Sequence, residues 1–455
     1  MAPDDTAATA VLELIPQARA DASPVRGGRA TLARATLGLL RRAPPPDAPV
    51  ELVRAGWPAT TQPAGEAAPV ARVVIADPDA LGRLLWPPTP DALGEAFLRG
   101  DVGAAVDTGQ ALDLRRLGAS DLRRLLRWGL ALRRGAGLGH ELARVARLRG
   151  PRHSRVRDLA AVRFHYDVGN PFYALWLDRR LTYSCAYFES TSDPAEALDA
   201  AQEAKLDLVC RKLRLEPGMR LLDIGCGWGS LICFAAERHG VEATGITLSE
   251  PQATYAQARA QREGLAQRVR VEVRDYRDLA TLGRFDAVAL VGMFEHVGRA
   301  NLPVCFGVAF AALRPGGLFL NHGIATTTRA GRRPSGLRFG DGGFVGRYVF
   351  PDGELVTVED AIVRARGAGF ELLDAQSLRA HYPLTLEAWL RRLEARADDA
   401  RRLAGEEVYR TWRLYLAAAR RGFERGALDV VQLLLARPAA NGPERRPLRP
   451  WWGGA

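Results

Sequence analysis

Leu221-Leu222-Asp223-Ile224-Gly225-Cys226-Gly227-Trp228-Gly229-Ser230 is the stretch that decides the fold. The apolar run from Met219 to Ile224 reads as a buried strand, three alternating glycines break it, and Leu231-Ile232-Cys233-Phe234-Ala235-Ala236 starts a helical pattern. A strand, a Gly-rich turn and a helix, in that order, bring the backbone of a doubly wound α/β sheet close to a nucleoside ligand. Glycine lets the chain turn sharply and leaves no Cβ between loop and ligand. A purely structural turn needs one glycine, whereas this one has three. The dinucleotide fingerprint is G-x-G-x-x-G, but here the glycines stand at 225, 227 and 229, with an acid ahead of them at Asp223. A nicotinamide enzyme therefore remains only a minor alternative.

Further strands are predicted on either side of this turn. Glu242 to Thr247 is the second, with Leu248-Ser249-Glu250-Pro251-Gln252 opening a helix, and Val269 to Val273 is the third, ending at Arg274-Asp275-Tyr276. Phe285 to Leu290 is the fourth, and Leu318 to Asn321 the fifth, followed by His322-Gly323-Ile324. A helix from about Glu196 to Leu213 leads into the first strand. Alternation at this spacing predicts a mostly parallel sheet covered on both faces. Ligands of such sheets sit beyond the carboxyl ends of the strands. Asp223, Thr247, Asp275, Glu295-His296 and His322 all fall at such ends, and their coincidence on one edge marks the candidate site.

The composition agrees with a folded protein: 455 residues, 47% hydrophobic and 25% charged, are enough for two or three domains with substantial cores. No apolar run reaches about 18 residues, so no spanning helix is predicted. Met1-Ala2-Pro3-Asp4-Asp5 lacks the basic start and apolar core of a signal peptide. Cys185, Cys210, Cys226, Cys233 and Cys305 include no CxxC pair, which argues against a disulfide framework and a structural zinc site. A cytoplasmic protein is expected. The formal net charge of +11 is unevenly spread, since thirteen arginines between Arg115 and Arg157 face only Asp121 and Glu141. Leucines at helical spacing accompany them (Leu114, Leu117, Leu122, Leu125, Leu126, Leu130). A basic amphipathic helix of this kind suits an anionic membrane surface or a nucleic acid, and a plain solvated face is the alternative.

Four segments follow from these shifts in composition. Residues 1–48, Ala- and Arg-rich and ending in Pro44-Pro45-Pro46, are expected to be mostly irregular. Residues 49–145 read as a small α/β domain, with a strand at Val70 to Ile75, a helix around Pro78 to Leu85 and the basic helical linker at its end. Residues 146–436 carry the nucleoside-binding sheet, and 437–455 read as an irregular tail. Within the second domain, Phe164 to Phe188 mixes aromatics with small and polar residues and reads as a lid or site wall rather than core. Ala325 to about Tyr348 reads as a long loop, and the chain from His381 to Ala436 as helical.

With Asp223 in front of it, the Gly225-x-Gly227-x-Gly229 turn resembles the first motif of class I S-adenosylmethionine-dependent methyltransferases. More specific stretches accompany it: Phe164-His165-Tyr166-Asp167, Leu181 to Phe188, Gly245 to Ser249, Met293-Phe294-Glu295-His296-Val297-Gly298, Tyr348-Val349-Phe350-Pro351, and His381-Tyr382 ahead of Leu386-Glu387-Ala388-Trp389. Together, from about Arg163 to Arg425, they resemble the cyclopropane-fatty-acyl-phospholipid synthase family, which includes the mycolic acid cyclopropane synthases. The N-terminal part is similar only in outline, best at Gly94 to Asp101. Asp352, where the family has glycine or asparagine, falls in a predicted turn, and little effect is expected of it.

The resemblance implies a doubly wound, Rossmann-like methyltransferase domain with C-terminal helices behind the smaller N-terminal α/β domain. It implies S-adenosylmethionine bound by Tyr166, Tyr183, Ser184, Asp223, Gly225, Gly227, Gly229, Thr247 and Gln252, with Tyr276 near the adenine. It also implies bicarbonate as catalytic base, held by Cys185, Glu295, His322, Tyr382 and, through its backbone, Ile324. An alkene is a weak nucleophile, and its attack on the sulfonium methyl leaves a carbocation in an apolar tunnel. The added methyl must then lose a proton before a ring can close, and a small anion nearby both takes that proton and stabilises the cation. The implied reaction converts unsaturated acyl chains of membrane phospholipids to cyclopropane fatty acids. Alternatives are the same alkene methylation ending in a methylene or methyl-branched chain and, further off, a small-molecule N- or C-methyltransferase. An anionic membrane surface is the expected partner, at the inner face of the membrane. A homodimer is allowed, and neither nucleic acid nor a metal is expected. A zinc site from His322, His296 and Cys185 is only a remote alternative.

Overall fold

The computed structural model describes residues 31–33, 35–36, 50–54, 71–75, 78–85, 90–105, 119–134, 142–190, 193–327, 343–439, 448 and 450–453. Most of the 1–48 segment, the Gly135-to-Gly139 link and residues 328–342 lie outside these; of the loop expected from Ala325 to about Tyr348, Ala325 and Thr326 belong to a strand and Phe344–Tyr348 is a helix. The chain divides into two compact units, Met1–Val145 and Ala146–Ala455.

In the first unit, β1 (Val50–Arg54) pairs parallel with β2 (Ala71–Ile75), and β2 pairs antiparallel with β3 (Val102–Ala105). Between them run α1 (Pro78–Leu85) and α2 (Pro90–Arg99). Arg83 on α1 grips Asp101 through two bonds, Nε to Oδ2 at 2.7 Å and Nη2 to Oδ1 at 2.5 Å. α3 (Ala119–Arg134) buries Leu125 and Leu132 and leaves Arg123, Arg124, Arg127 and Arg134 exposed.

The second unit opens with α4 (Arg155–Tyr166) and α5 (Asn170–Ala174). The Asp193 carboxylate accepts from Ala195 N (2.9 Å) and, with Pro194 in the first turn, starts α6 (Pro194–Lys212). Then come β4 (Arg220–Ile224), α7 (Ser230–His239), β5 (Glu242–Thr247), α8 (Glu250–Arg262), β6 (Val269–Val273), β7 (Phe285–Val291), α9 (Phe294–Val297), α10 (Leu302–Ala312) and β8 (Leu313–Thr326). The unit finishes with α11 (Phe344–Tyr348), α12 (Val358–Gly367), β9 (Glu371–Ser377), α13 (His381–Ala395), α14 (Ala397–Glu424) and β10 (Leu428–Ala436). The seven strands lie in the order β6-β5-β4-β7-β8-β10-β9. Those from β6 to β8 are parallel, and β10 runs antiparallel to both of its neighbours. Successive residues point to opposite faces, so Leu221 joins a core with Val209, Ile232 and Leu434, and Leu222 joins another with Phe306, Phe319 and Phe370. Both faces are covered, which is why the strands are continuously apolar.

The structure departs from the sequence expectations in four places. Helix was expected to Ala436, but Leu428–Ala436 is a strand in the sheet interior. A short apolar run such as Leu433-Leu434-Leu435 suits either element, and the open slot between β8 and β9 decides it. β8 extends well beyond Leu318–Asn321, so His322 and Ile324 are strand residues. The aromatic segment is wall and core together: Phe172, Tyr173 and Trp176 are almost fully buried, and Tyr166 ends a helix. The basic run is divided as well. Arg155 and Arg157 belong to the second unit and pair with Asp278 (2.5 and 2.9 Å) and Asp352 (2.5 and 2.8 Å). The tail is irregular in backbone, yet Trp451 and Trp452 pack on the core, with the Arg214 guanidinium 3.6 Å from the Trp451 ring centre.

Candidate active site

The carboxyl ends of β4, β5, β6 and β7 open into one cavity. Of the ten residues expected to bind the methyl donor, nine line it: Tyr166, Tyr183, Ser184, Asp223, Gly225, Gly227, Thr247, Gln252 and Tyr276. Gly229 does not. It occupies the left-handed N-cap of α7, and a Cβ on it would stand 2.9 Å from Ala256 Cβ, so its smallness serves helix packing. Gly227 also has positive φ (+53°), but a Cβ there would meet no protein atom. This glycine keeps the cavity clear.

Side chains on the wall are held from behind. Thr247 Oγ1 donates to Gln252 Oε1 (3.0 Å) and accepts Ser249 N–H (3.1 Å). Tyr276, with the Arg277 guanidinium 4.7 Å from its ring centre, is pushed up to about 12 by burial. Asp223 is buried with Oδ1 unpartnered, and burial raises its carboxyl to about 7. The Thr182–Cys185 segment has no ladder partner and is tied by side chains. Asp178 accepts Thr182 N–H (2.6 Å), and Gln202 Nε2 donates to the Thr182 and Ser184 carbonyls (3.3 and 2.9 Å). Lys205 Nζ donates to Ser184 Oγ (2.9 Å).

The five residues expected to hold the base lie outside the lining of this cavity, and all but half-buried Ile324 are buried. Glu295 Oε1 accepts Ile324 N–H (2.6 Å), Oε2 has no partner among the described residues, and burial raises the carboxyl to about 7. The Ile324 amide is thus engaged by Glu295 and orients its carboxyl. His322 Nδ1 faces Gln432 Nε2 (3.3 Å), Nε2 is unpartnered, and burial lowers the imidazole to about 3, keeping it neutral. With Gln432 donating to Nδ1, the proton sits on Nε2 and points away from Gln432. Tyr382 is raised by burial, with Tyr415, Cys185, Glu295 and Tyr166 acting in the same direction. Cys185 Sγ donates to the Ala186 and Leu378 carbonyls (3.3 and 3.8 Å), and burial pushes its thiol up. Tyr166, on the cavity wall, also feels Glu295, so the two sets adjoin there.

Around them stands an aromatic cage. Tyr183 lies 5.2 Å from Trp389 and 6.0 Å from Trp412, and Tyr382 lies 6.1 Å from Trp389. Such faces stabilise a developing cation. His165, by contrast, bonds to the Val349 carbonyl (2.7 Å), and His381 accepts Phe188 N–H (3.1 Å). Both are structural. Among the described residues no His/Cys/Asp/Glu cluster could hold a metal ion.

Lys205 lines the cavity without having been singled out in the sequence, and Trp228, Met293 and His296, quoted there within the motifs, line it as well. For Lys205 the signal was present: with Gln202 it falls on the apolar face of α6, in register with Leu198 and Val209. Asp352, of which little was expected, adopts φ +59° and pins Arg157 at the start of α4.

Residues 153–433 match the family model of mycolic acid cyclopropane synthetase. A probable fatty acid methyltransferase from Pseudomonas putida is 41% identical over 82% of this chain and 89% of its own length. The cyclopropane-fatty-acyl-phospholipid synthase of Escherichia coli K12 is 36% identical over 67% of this chain and 76% of its own. The crystal structure of mycolic acid cyclopropane synthase CmaA1 complexed with SAH and CTAB superposes with a TM-score of 0.56 at 33% identity, covering 61% of this chain and 98% of that one. The chain belongs to the mycolic acid cyclopropane synthetase family, and is an S-adenosylmethionine-dependent methyltransferase with a Rossmann-like fold.

Proposed function

We propose that the enzyme methylates the double bond of unsaturated acyl chains in membrane phospholipids, with cyclopropane fatty acids as the product. The observation that carries this reading is the buried polar set of Glu295, His322, Tyr382 and Cys185 beside an aromatic cage. A methyltransferase acting on an amine needs no such set, because the amine itself supplies the nucleophile and the proton. Unpartnered Glu295 Oε2 and the His322 Nε2–H offer an acceptor and a donor to a small oxyanion, which fits bicarbonate. Bicarbonate, when bound, supplies the base for the proton lost from the added methyl.

The residues divide the work. Ile324 N–H fixes the Glu295 carboxyl, which near neutral pH exists in both protonation states and so can share a proton with an anion beside it. Neutral His322 and Tyr382 contribute hydrogen-bond donors without adding positive charge near the cation. Tyr183, Trp389 and Trp412 exclude water and present π-faces to the developing charge.

A second reading has the same methyl transfer ending in a methylene or methyl-branched chain. It is supported by the relatives named fatty acid methyltransferases, at 41 and 44% identity. The test is to incubate the enzyme with S-adenosylmethionine and monounsaturated phospholipid vesicles, then analyse the fatty acids. A gain of one CH2 on monounsaturated chains alone is expected, with high-field cyclopropane protons in the NMR spectrum. Vinylidene protons instead would favour the second reading, and no lipid product would overturn both.

The substrate alkene lies inside a bilayer, while among the described residues no helix is long and apolar enough to cross one. The exposed arginines of α3 are the proposed contact with an anionic inner-leaflet surface.

A further inference from the structure

Two buried charges line the donor cavity without pairing with each other. Lys205 is 1% exposed, and its one hydrogen bond among the described residues is the 2.9 Å contact with Ser184 Oγ. An ammonium has three donors, so two remain. Asp178, the acid expected to answer it, is occupied: its carboxylate accepts Thr182 N–H (2.6 Å), Thr182 Oγ1–H (3.3 Å) and Arg180 N–H (2.9 Å). Asp223 is 2% exposed, with Oδ1 unpartnered. No ion pair joins Lys205 to Asp223 among the described residues. The other titratable groups acting on Lys205, the thiols of Cys185 and Cys210, are raised by burial and neutral. Burial without a partner pushes both toward their neutral forms, Lys205 down to about 8 and Asp223 up to about 7, so a cavity that keeps this acid and this amine unpaired is built for a ligand that answers both.

We propose that Lys205, with Ser184, takes the α-carboxylate of the methyl donor, and that Asp223 takes its α-ammonium. The amino-acid end of S-adenosylmethionine is a zwitterion, and these side chains present the complementary charges on one wall. The proposal rests on the cavity being the donor site. Lys205 is then the residue that sets the direction of the donor, because exchanging the two ends would place like charges together. Charge-assisted bonds of this type inside a closed cavity are the strong ones. The same contact tightens Ser184, and with it the adjoining Cys185, when the donor is bound.

The test compares three ligands by calorimetry: S-adenosylhomocysteine, its decarboxylated analogue, and 5′-methylthioadenosine, which lacks the whole amino-acid end. Wild type should bind S-adenosylhomocysteine about tenfold or more tighter than the decarboxylated analogue, the usual size of a hydrogen bond to a charged group. Lys205→Met should erase that preference while leaving 5′-methylthioadenosine affinity within about twofold. Equal weakening of all three ligands would mean that Lys205 only supports the wall, and an unchanged preference would mean that it does not meet the carboxylate. Either overturns the proposal. Should Lys205→Met fail to fold, the wild-type comparison alone decides, since equal affinity for the carboxylated and decarboxylated ligands overturns it. A wild-type protein that binds none of the three would instead remove the donor site from this cavity.

Discussion

Glu295 and Asp223 are carboxyls that burial lifts to about 7, from ordinary values of 4.5 and 3.8. A carboxyl with a raised folded-state value favours folding while it is protonated. Its contribution is complete below the unfolded value and is lost as pH rises through the folded one. Both groups therefore lower stability progressively from about pH 4 to 7, and the full cost persists above that. Glu295→Gln keeps an oxygen for Ile324 N–H and removes the buried charge. It should be more stable than wild type at pH 8 and lose that advantage at pH 4, as read by urea denaturation at the two values. In activity the direction reverses. Glu295→Gln and Tyr382→Phe should each slow turnover at least about tenfold with donor affinity little changed, because they act on the transition state rather than on the donor. Gly227→Val should abolish donor binding in calorimetry while circular dichroism stays native. Its side chain enters the empty cavity from a backbone at φ +53° and displaces no protein atom. Asp223 and Gly227 were legible because their chemistry is local, written in a strand and a turn. Gln432 was not, because it acts on His322, far along the chain, and Lys205 left only its place on the apolar face of α6 as a signal.

α3 is the element proposed to meet the membrane, and it is shorter than the basic run that suggested it. Arg155 and Arg157 are drawn into pairs in the other unit, which leaves the arginines of Ala119–Arg134 to face solvent. Each basic residue near an anionic surface contributes about 1 kcal/mol, within a field that decays over roughly 10 Å at moderate salt. Replacing Arg123, Arg124, Arg127, Arg133 and Arg134 by Gln should weaken binding to anionic vesicles and activity on them together. Activity on detergent-dispersed lipid should be largely kept. Undiminished sedimentation of the variant with anionic vesicles would make α3 a solvated face. The parallel strands β4 to β8 were legible because each is an apolar run that ends in a turn or a polar cluster. β10 was not, since Leu433-Leu434-Leu435 carries no period of its own and its partners lie on either side in space rather than in sequence.

In the second unit, Tyr166 lines the donor cavity and feels Glu295 of the buried polar set, so under the proposed function the methyl and the base would approach a substrate from adjoining sides. Rigorous removal of bicarbonate should lower turnover, and adding it back should restore it, with donor affinity the same throughout. Turnover indifferent to bicarbonate would leave Glu295 itself as the proton acceptor. The overall architecture was readable because a doubly wound sheet repeats one unit, and the pocket falls where its carboxyl ends collect.

The antiparallel β10 gives this enzyme a particular order of assembly. β8, which carries His322, pairs with β7 on one side, but its other edge stays open until Leu428–Ala436 has left the ribosome. β9 reaches the sheet only through the same late strand. A nascent chain therefore carries two exposed strand edges at once, the condition under which chains pair with one another and aggregate. His322 meets Gln432, its neighbour across the β8–β10 ladder, in the same step that seals those edges. A prematurely terminated product would thus be both sticky and chemically inert.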